Sequence, residues 1–156
     1  MHGARIFIAA LLAVACAAHA ATIEGKVVAV ADGDTLTVLI DRMQIKVRLA
    51  EIDAPQKGQA FVNRSRQSLA ALCFGKIAQV FEKGKDHYAR TLGRVHCDGI
   101  DANAEQVQRG MAWVFDKYVT DRSLYAVQAE AKAAGRGLWA DKEPVPPWEW
   151  RRKARP

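Results

Sequence analysis

The chain has 156 residues, half of them hydrophobic and 26% charged, with 23 Lys and Arg against 17 Asp and Glu for a net charge of +6. This balance excludes a disordered or collagen-like chain, and the length admits one modest core rather than a large multidomain enzyme.

Ile6 to Ala18 form an unbroken apolar run behind Arg5. The run is too short to span a bilayer and matches the centre of a secretory signal peptide, with Ala18-His19-Ala20 as a small-x-small cleavage pattern. A signal peptide over residues 1–20 is expected, leaving a mature protein that is periplasmic or extracellular, without stable membrane insertion. A membrane anchor or lipid attachment at Cys16 are the alternatives. The mature chain keeps Cys73 and Cys97. In an oxidising compartment the pair reads as a disulfide, or otherwise as two buried thiols. The lack of CxxC spacing argues against structural zinc.

Val-rich residues from Gly25 to Val30 read as a strand, and Asp32-Gly33-Asp34 as a turn, because Asp-Gly tolerates positive φ. A second strand runs from Thr35 to Ile40. The third, Gln44 to Leu49, has clean alternation: Ile45, Val47 and Leu49 face one way, Lys46 and Arg48 the other. Pro55 breaks the chain. A helix is expected from about Gln59 to Cys73, with Phe61, Ser65, Leu69 and Leu72 on one face. Short strands follow at Ile77 to Phe81 and Arg94 to Cys97. Asn103 reads as an N-cap, with Gln106 in the place of a capping-box partner, for a helix ending near Gly110. Another helix covers Ser123 to Ala134, stopped by Gly135. Pro144, Pro146 and Pro147 predict an extended, Pro/Trp-rich basic tail over 142–156 behind a domain spanning 21–141.

Three strands, a helix, two strands and further helices make an α+β pattern. Five short strands favour a closed barrel of the OB-fold type, which removes exposed edges, with about three packed helices. A monomer is the default expectation for a domain of this size.

Four local features could carry chemistry. In Asp32-Gly33-Asp34-Thr35, two carboxylates at a tight turn could hold a hard cation, though Asp-Gly is also a common hairpin turn. Arg48 and Asp53 flank a strand end, where they could meet phosphate and metal or form a surface ion pair. In Asp86-His87-Tyr88-Ala89-Arg90, Arg90 offers a second planar fork beside a ring, or belongs to a solvated loop. Of the aromatics near Thr120, Trp113 and Phe115 read as core and Tyr118 as an exposed stacking surface, while Trp148 and Trp150 read as packing back on the domain.

Taken in order, Asp-Gly-Asp-Thr, Val-Arg-Leu-x-x-Ile-Asp-Ala-Pro, Asp-x-Tyr-x-Arg, Gly-Met-Ala-Trp-Val and Gly-Leu-Trp resemble the thermonuclease (staphylococcal nuclease-like) family across the mature chain, from about Thr22 to Trp139. The resemblance implies an OB-fold barrel with helices packed on it, and a Ca²⁺-dependent phosphodiesterase acting on DNA and RNA. It implies that Asp34, Asp53 and the Ala54 carbonyl hold Ca²⁺, with Asp32 and Thr35 supporting them. Arg48 and Arg90 would clamp the phosphate, and Tyr88 and Tyr118 would line the nucleotide pocket. The basic surplus, including Arg151, Arg152, Lys153 and Arg155, would attract the polyanion.

Two positions depart from the family pattern. Gln56 stands where the family has the Glu assigned to take or position the water proton; an amide can orient water but cannot accept its proton. The consequences are a slower enzyme, substitution by another carboxylate such as Glu51, or a nucleic-acid-binding module that no longer cleaves. Ala89 replaces a usual Gly, and the expectation there is a loop that avoids positive φ.

Overall fold

Alternation of apolar and polar side chains builds the first three strands into a meander: β1 (Thr22–Asp32), β2 (Thr35–Ile40) and β3 (Met43–Leu49), joined antiparallel. The structure is a computed structural model that describes residues 22–154, so the leader reading and Cys16 lie outside the described residues. After β4 (Ile52–Asp53) come α1 (Val62–Cys73), β5 (Ile77–Lys85), β6 (Thr91–Cys97) and β7 (Ile100–Asp101). These lead into α2 (Ala102–Gln108), β8 (Trp113–Val114), α3 (Leu124–Ala133), a 3-10 turn at Gly137–Ala140 and α4 (Pro147–Lys153).

β1 lies between β2 and β5, β5 pairs with β6, and β6 returns parallel to β3, so five strands close on themselves. This is the expected OB-type barrel of an α+β domain. Val27, Leu36, Val47, Leu49, Val80 and Val95 are fully buried in its core. The alternation in β3 is realised: Val47 and Leu49 point inward while Lys46 is exposed and Arg48 half-buried. α1 packs Ser65, Leu69, Leu72 and Cys73 inward, and Cys73 is bonded to Cys97 at the end of β6. Among the described residues no helix is long and apolar enough to cross a membrane.

Several local expectations give way. The tail is not extended: residues Pro147–Lys153 form α4, making four α-helices among the described residues rather than about three. Pro147 occupies the first turn, where a missing N–H costs nothing, Glu149 suits that end and Arg151, Arg152 and Lys153 suit the other. Trp148 stacks on Phe115 (ring centroids 5.3 Å apart, planes 1° from parallel) and meets the edge of Trp113, which anchors the helix.

α2 is capped by Asp101, whose side chain accepts from the Ala104 amide. Asn103 instead serves the barrel: its Oδ1 accepts from Val95 N–H, and its amide nitrogen donates to the carbonyls of Ala50 and Gly93. Gln106 is no capping partner either, since its Nε2 donates to the carbonyls of Gly33 and Ser65. Both polar side chains are fully buried, where satisfying strand and turn backbone outweighs a local cap. α1 begins at Val62, because Phe61 takes a left-handed conformation at φ 65°. Gly33 does not use positive φ; a Cβ there would overlap Ser65 Oγ, so close approach to α1 is what requires glycine. Ala89 does adopt positive φ, at 59°, against expectation. The loop keeps the left-handed turn a glycine would prefer because Asp86 Oδ1 accepts the amides of both Tyr88 and Arg90 and fixes its path.

Candidate active site

Barrel closure assembles one pocket from distant segments. In the β2–β3 ladder Thr35 lies opposite Arg48, and in the parallel β3–β6 ladder Val47 lies beside Thr91, the residue after Arg90. The start of β2, the end of β3 and the start of β6 therefore share one end of the barrel. β4 adds Asp53, held opposite Trp113 of β8.

The geometry at this end is tight. Arg48 Nη2 lies 3.0 Å from Asp53 Oδ1 and 3.4 Å from Asp34 Oδ2, so one nitrogen touches both carboxylates. Arg48 Nη1 donates to the carbonyls of Leu49 and Ile52, which fixes its plane. Asp34 and Asp53 are 3% and 0% exposed. Asp34 Oδ2 accepts the Ala54 amide at 2.7 Å, and Oδ1 accepts Thr35 Oγ1–H at 3.1 Å. Arg90 Nη1 reaches that same Thr35 hydroxyl at 3.4 Å while its Nε donates to Asp86 Oδ2 at 2.7 Å. Asp34, Asp53, Arg48 and Arg90 thus converge, with Thr35 as the link to Arg90.

Burial pushes Asp32 up to about 6, and the neighbouring Asp34 charge adds to the rise. Burial likewise raises Asp53, against the pull of Arg151 and Arg48.

Tyr88 is 70% exposed, and the Arg90 guanidinium lies 5.4 Å from its ring centre. Tyr118 is 57% exposed and meets Phe115 edge-on at 4.9 Å. Gln56 turns back into its own loop: Nε2 donates to the Ala54 carbonyl at 2.8 Å, and its backbone amide donates to Gln59 Oε1.

Glu51 is not free to replace Gln56. Oε1 accepts the amides of Thr120 and Asp121 and the Thr120 hydroxyl, while Oε2 faces Lys83 at 3.0 Å and Arg94 at 3.3 Å. Burial pushes its carboxyl up, but these donors outweigh it and bring it down to about 2, which makes it a weak base.

One pairing at the pocket escaped the sequence reading, which took Arg151 only as part of the basic surplus. Arg151 of α4 grips Asp53 with both arms, Nη1 to Oδ1 at 3.0 Å and Nη2 to Oδ2 at 2.6 Å. A cluster of Arg and Lys after prolines signals charge, but nothing in the pattern joins residues 98 apart. Gln106, which ties the Asp-Gly-Asp turn to α1, was equally hidden.

Among the described residues no three His, Cys, Asp or Glu side chains cluster as a metal cage, but two carboxylates and one carbonyl expected to serve as ligands are of the type that suits a hard cation. Asp34, Asp53 and the Ala54 carbonyl supply only oxygens, as Ca²⁺ prefers, and a cationic guanidinium already sits on both oxygens of Asp53.

Comparison with known proteins places the chain in a family. Residues 46–141 match the family model described as staphylococcal nuclease homologue. A micrococcal nuclease of Shigella flexneri is 44% identical, over 86% of this chain and 84% of its own length. A protein of Haemophilus influenzae named uncharacterized endonuclease is 46% identical, over 82% of this chain and 72% of its own. Protein ParB of Escherichia coli is 42% identical, over 94% and 90%. With a closed five-stranded barrel, a family match over residues 46–141 and relatives 44% and 46% identical, the chain belongs to the staphylococcal nuclease-like (thermonuclease) family.

Proposed function

We propose that this protein is a Ca²⁺-dependent nuclease that hydrolyses phosphodiester bonds of DNA, RNA or both, slowed by Gln56. The observation that carries the reading is the shared contact of Arg48 Nη2 with Asp34 and Asp53, beside Arg90. In hydrolysis the oxygen of water bonds to phosphorus, the bond from phosphorus to one sugar oxygen breaks, and that oxygen leaves with a proton. Negative charge builds on the non-bridging oxygens on the way. The two guanidinium forks, braced by Leu49, Ile52 and Asp86, would meet that charge, Arg48 once a cation on Asp34 and Asp53 frees its Nη2. Asp34, Asp53 and Ala54 O would hold the cation, which when bound supplies electrostatic stabilisation of the same charge. Thr35 orients Asp34, with Asp32 close by, and Tyr88 and Tyr118 offer exposed rings to nucleotide bases.

Gln56 Nε2 is spent on Ala54, which leaves Oε1 to orient a water whose proton it cannot take. That engagement favours a second reading, a nucleic-acid-binding module that has lost cleavage. Export with cleavage near Ala20 fits the apolar leader, the Cys73–Cys97 bond suits an oxidising compartment, and a monomer is the default for a domain of this size.

The mature protein is incubated with single-stranded DNA and Ca²⁺, with and without chelator. Chelator-sensitive cleavage that Arg48→Ala or Arg90→Ala lowers at least 100-fold is expected. Binding without cleavage would select the module.

A further inference from the structure

Arg151 lies outside the motifs that define the pocket, yet it makes the closest ion pair there. Its guanidinium takes both oxygens of the fully buried Asp53 carboxylate, while its own side chain is 35% exposed. The fork is therefore the layer between Asp53 and solvent. Its position is built rather than incidental. Trp148, one turn earlier on α4, stacks on Phe115, and Arg151 itself lies 6.0 Å from the Phe115 ring centre. The segment before the helix is held by Gln59, whose Nε2 donates to the Val145 carbonyl at 2.6 Å.

A divalent cation on Asp53 would compete with both guanidinium groups that hold it, and Arg151 is the one to yield: its fork takes both Asp53 oxygens and bonds nothing else among the described residues, whereas Arg48 is also tied to the Leu49 and Ile52 carbonyls. The helix anchors do not depend on that ion pair. A displaced Arg151 would still be carried by α4 at the pocket rim, where it could serve as a third planar fork beside Arg48 and Arg90.

We propose that Arg151 is a further substrate-binding residue of this site: it occupies Asp53 in the cation-free protein and passes to a phosphate of the nucleic acid once a divalent cation takes that carboxylate. The inference rests on the reading of Asp34 and Asp53 as cation ligands. Cation entry and phosphate binding then become linked, because a phosphate that holds Arg151 removes the cation's competitor.

The test uses the full mature protein and the Arg151→Met variant, whose side chain keeps much of the packing on Phe115. Arg152→Met, which removes the same charge from an exposed position on α4, is the control. Ca²⁺ affinity is measured by calorimetry without nucleotide. A nucleoside monophosphate, which carries phosphate but no diester, is then titrated at saturating Ca²⁺. Arg151→Met is expected to bind Ca²⁺ at least tenfold more tightly and the nucleotide at least fivefold more weakly, with Arg152→Met close to wild type in both. Unchanged or weaker Ca²⁺ binding in Arg151→Met overturns the proposal, as does tighter Ca²⁺ binding with undiminished nucleotide affinity, which would make Arg151 only a plug. An Asp53→Asn variant separates the two levels. If it binds Ca²⁺ as wild type does, or if wild type and Arg151→Met both bind none, the cation-ligand reading itself falls. A melting curve of each variant shows that the fold is retained.

Discussion

Replacing Gln56 by Glu changes two things at once, and the structure separates them. In the native loop Gln56 Nε2 donates to the Ala54 carbonyl at 2.8 Å. A carboxylate cannot donate, so Gln56→Glu removes that hydrogen bond and sets two acceptors against each other. The loss is about 1 kcal/mol of stability in the cation-free protein. The same change releases the Ala54 carbonyl for a cation and adds a group able to accept the proton of the attacking water. General-base help of this kind is typically worth roughly 100- to 10,000-fold, or about 3 to 5 kcal/mol off the barrier. The variant should therefore melt lower without Ca²⁺, regain stability as Ca²⁺ is added, and cleave single-stranded DNA at least 100-fold faster at saturating Ca²⁺. Single-turnover cleavage with both proteins, alongside melting curves over a Ca²⁺ series, measures all three. A rate within threefold of wild type, with the Ca²⁺ response intact, would refute the reasoning: the absent carboxylate would not be what limits this chain.

Other outcomes follow from features outside the proposed cation site. Glu51 is lowered from near 4.5 to about 2, so it contributes stability that is fully present above pH 4.5 and lost as the pH falls towards 2. The contribution is on the order of 3 kcal/mol, and Glu51→Gln should flatten the acid limb of a urea-stability profile in that window; an unchanged limb would show that its donors do not stabilise the charged form. Ala89 at φ 59° should gain from glycine, so Ala89→Gly is expected to raise stability by about 1 kcal/mol while leaving Ca²⁺ affinity alone, checked by denaturant unfolding and calorimetry. Reducing the Cys73–Cys97 bond, which closes a loop between residues 24 apart, should cost about 3 kcal/mol; reduction with no change in the urea midpoint would contradict this.

Much of the barrel was legible because its signals are local. β3 alternates along its length, and β2 was read with the bounds it has. The residues that meet at the barrel end, Asp34, Arg48, Asp53 and Arg90, were legible as a group only through a series of motifs, since singly each had a plain alternative at a turn, a surface pair or a solvated loop. What escaped depends on contacts across the fold. Asn103 and Gln106 looked like helix-end residues by spacing, but each answers to barrel or turn backbone far along the chain. The prolines before Trp148 suggested an end to regular structure, whereas Pro147 starts a helix that the Trp148–Phe115 stack holds in place. Glu51 lies close to Asp53 in sequence, yet it points into a separate group of donors around Thr120 and Arg94.

The parallel seam between β3 and β6 sets when the protein can first act. Every other pairing of the five barrel strands is antiparallel, while this one joins Val47 to Thr91 and Leu49 to Gly93 across a long stretch of chain. Such distant partners meet late, since loop closure must be met before the contact is gained. A ribosome releasing this chain delivers the acidic residues first, then Arg90, and α4 last of all. Until the seam zips, Arg48 and Arg90 have no common destination, so a half-made copy carries the reactive groups without the enzyme.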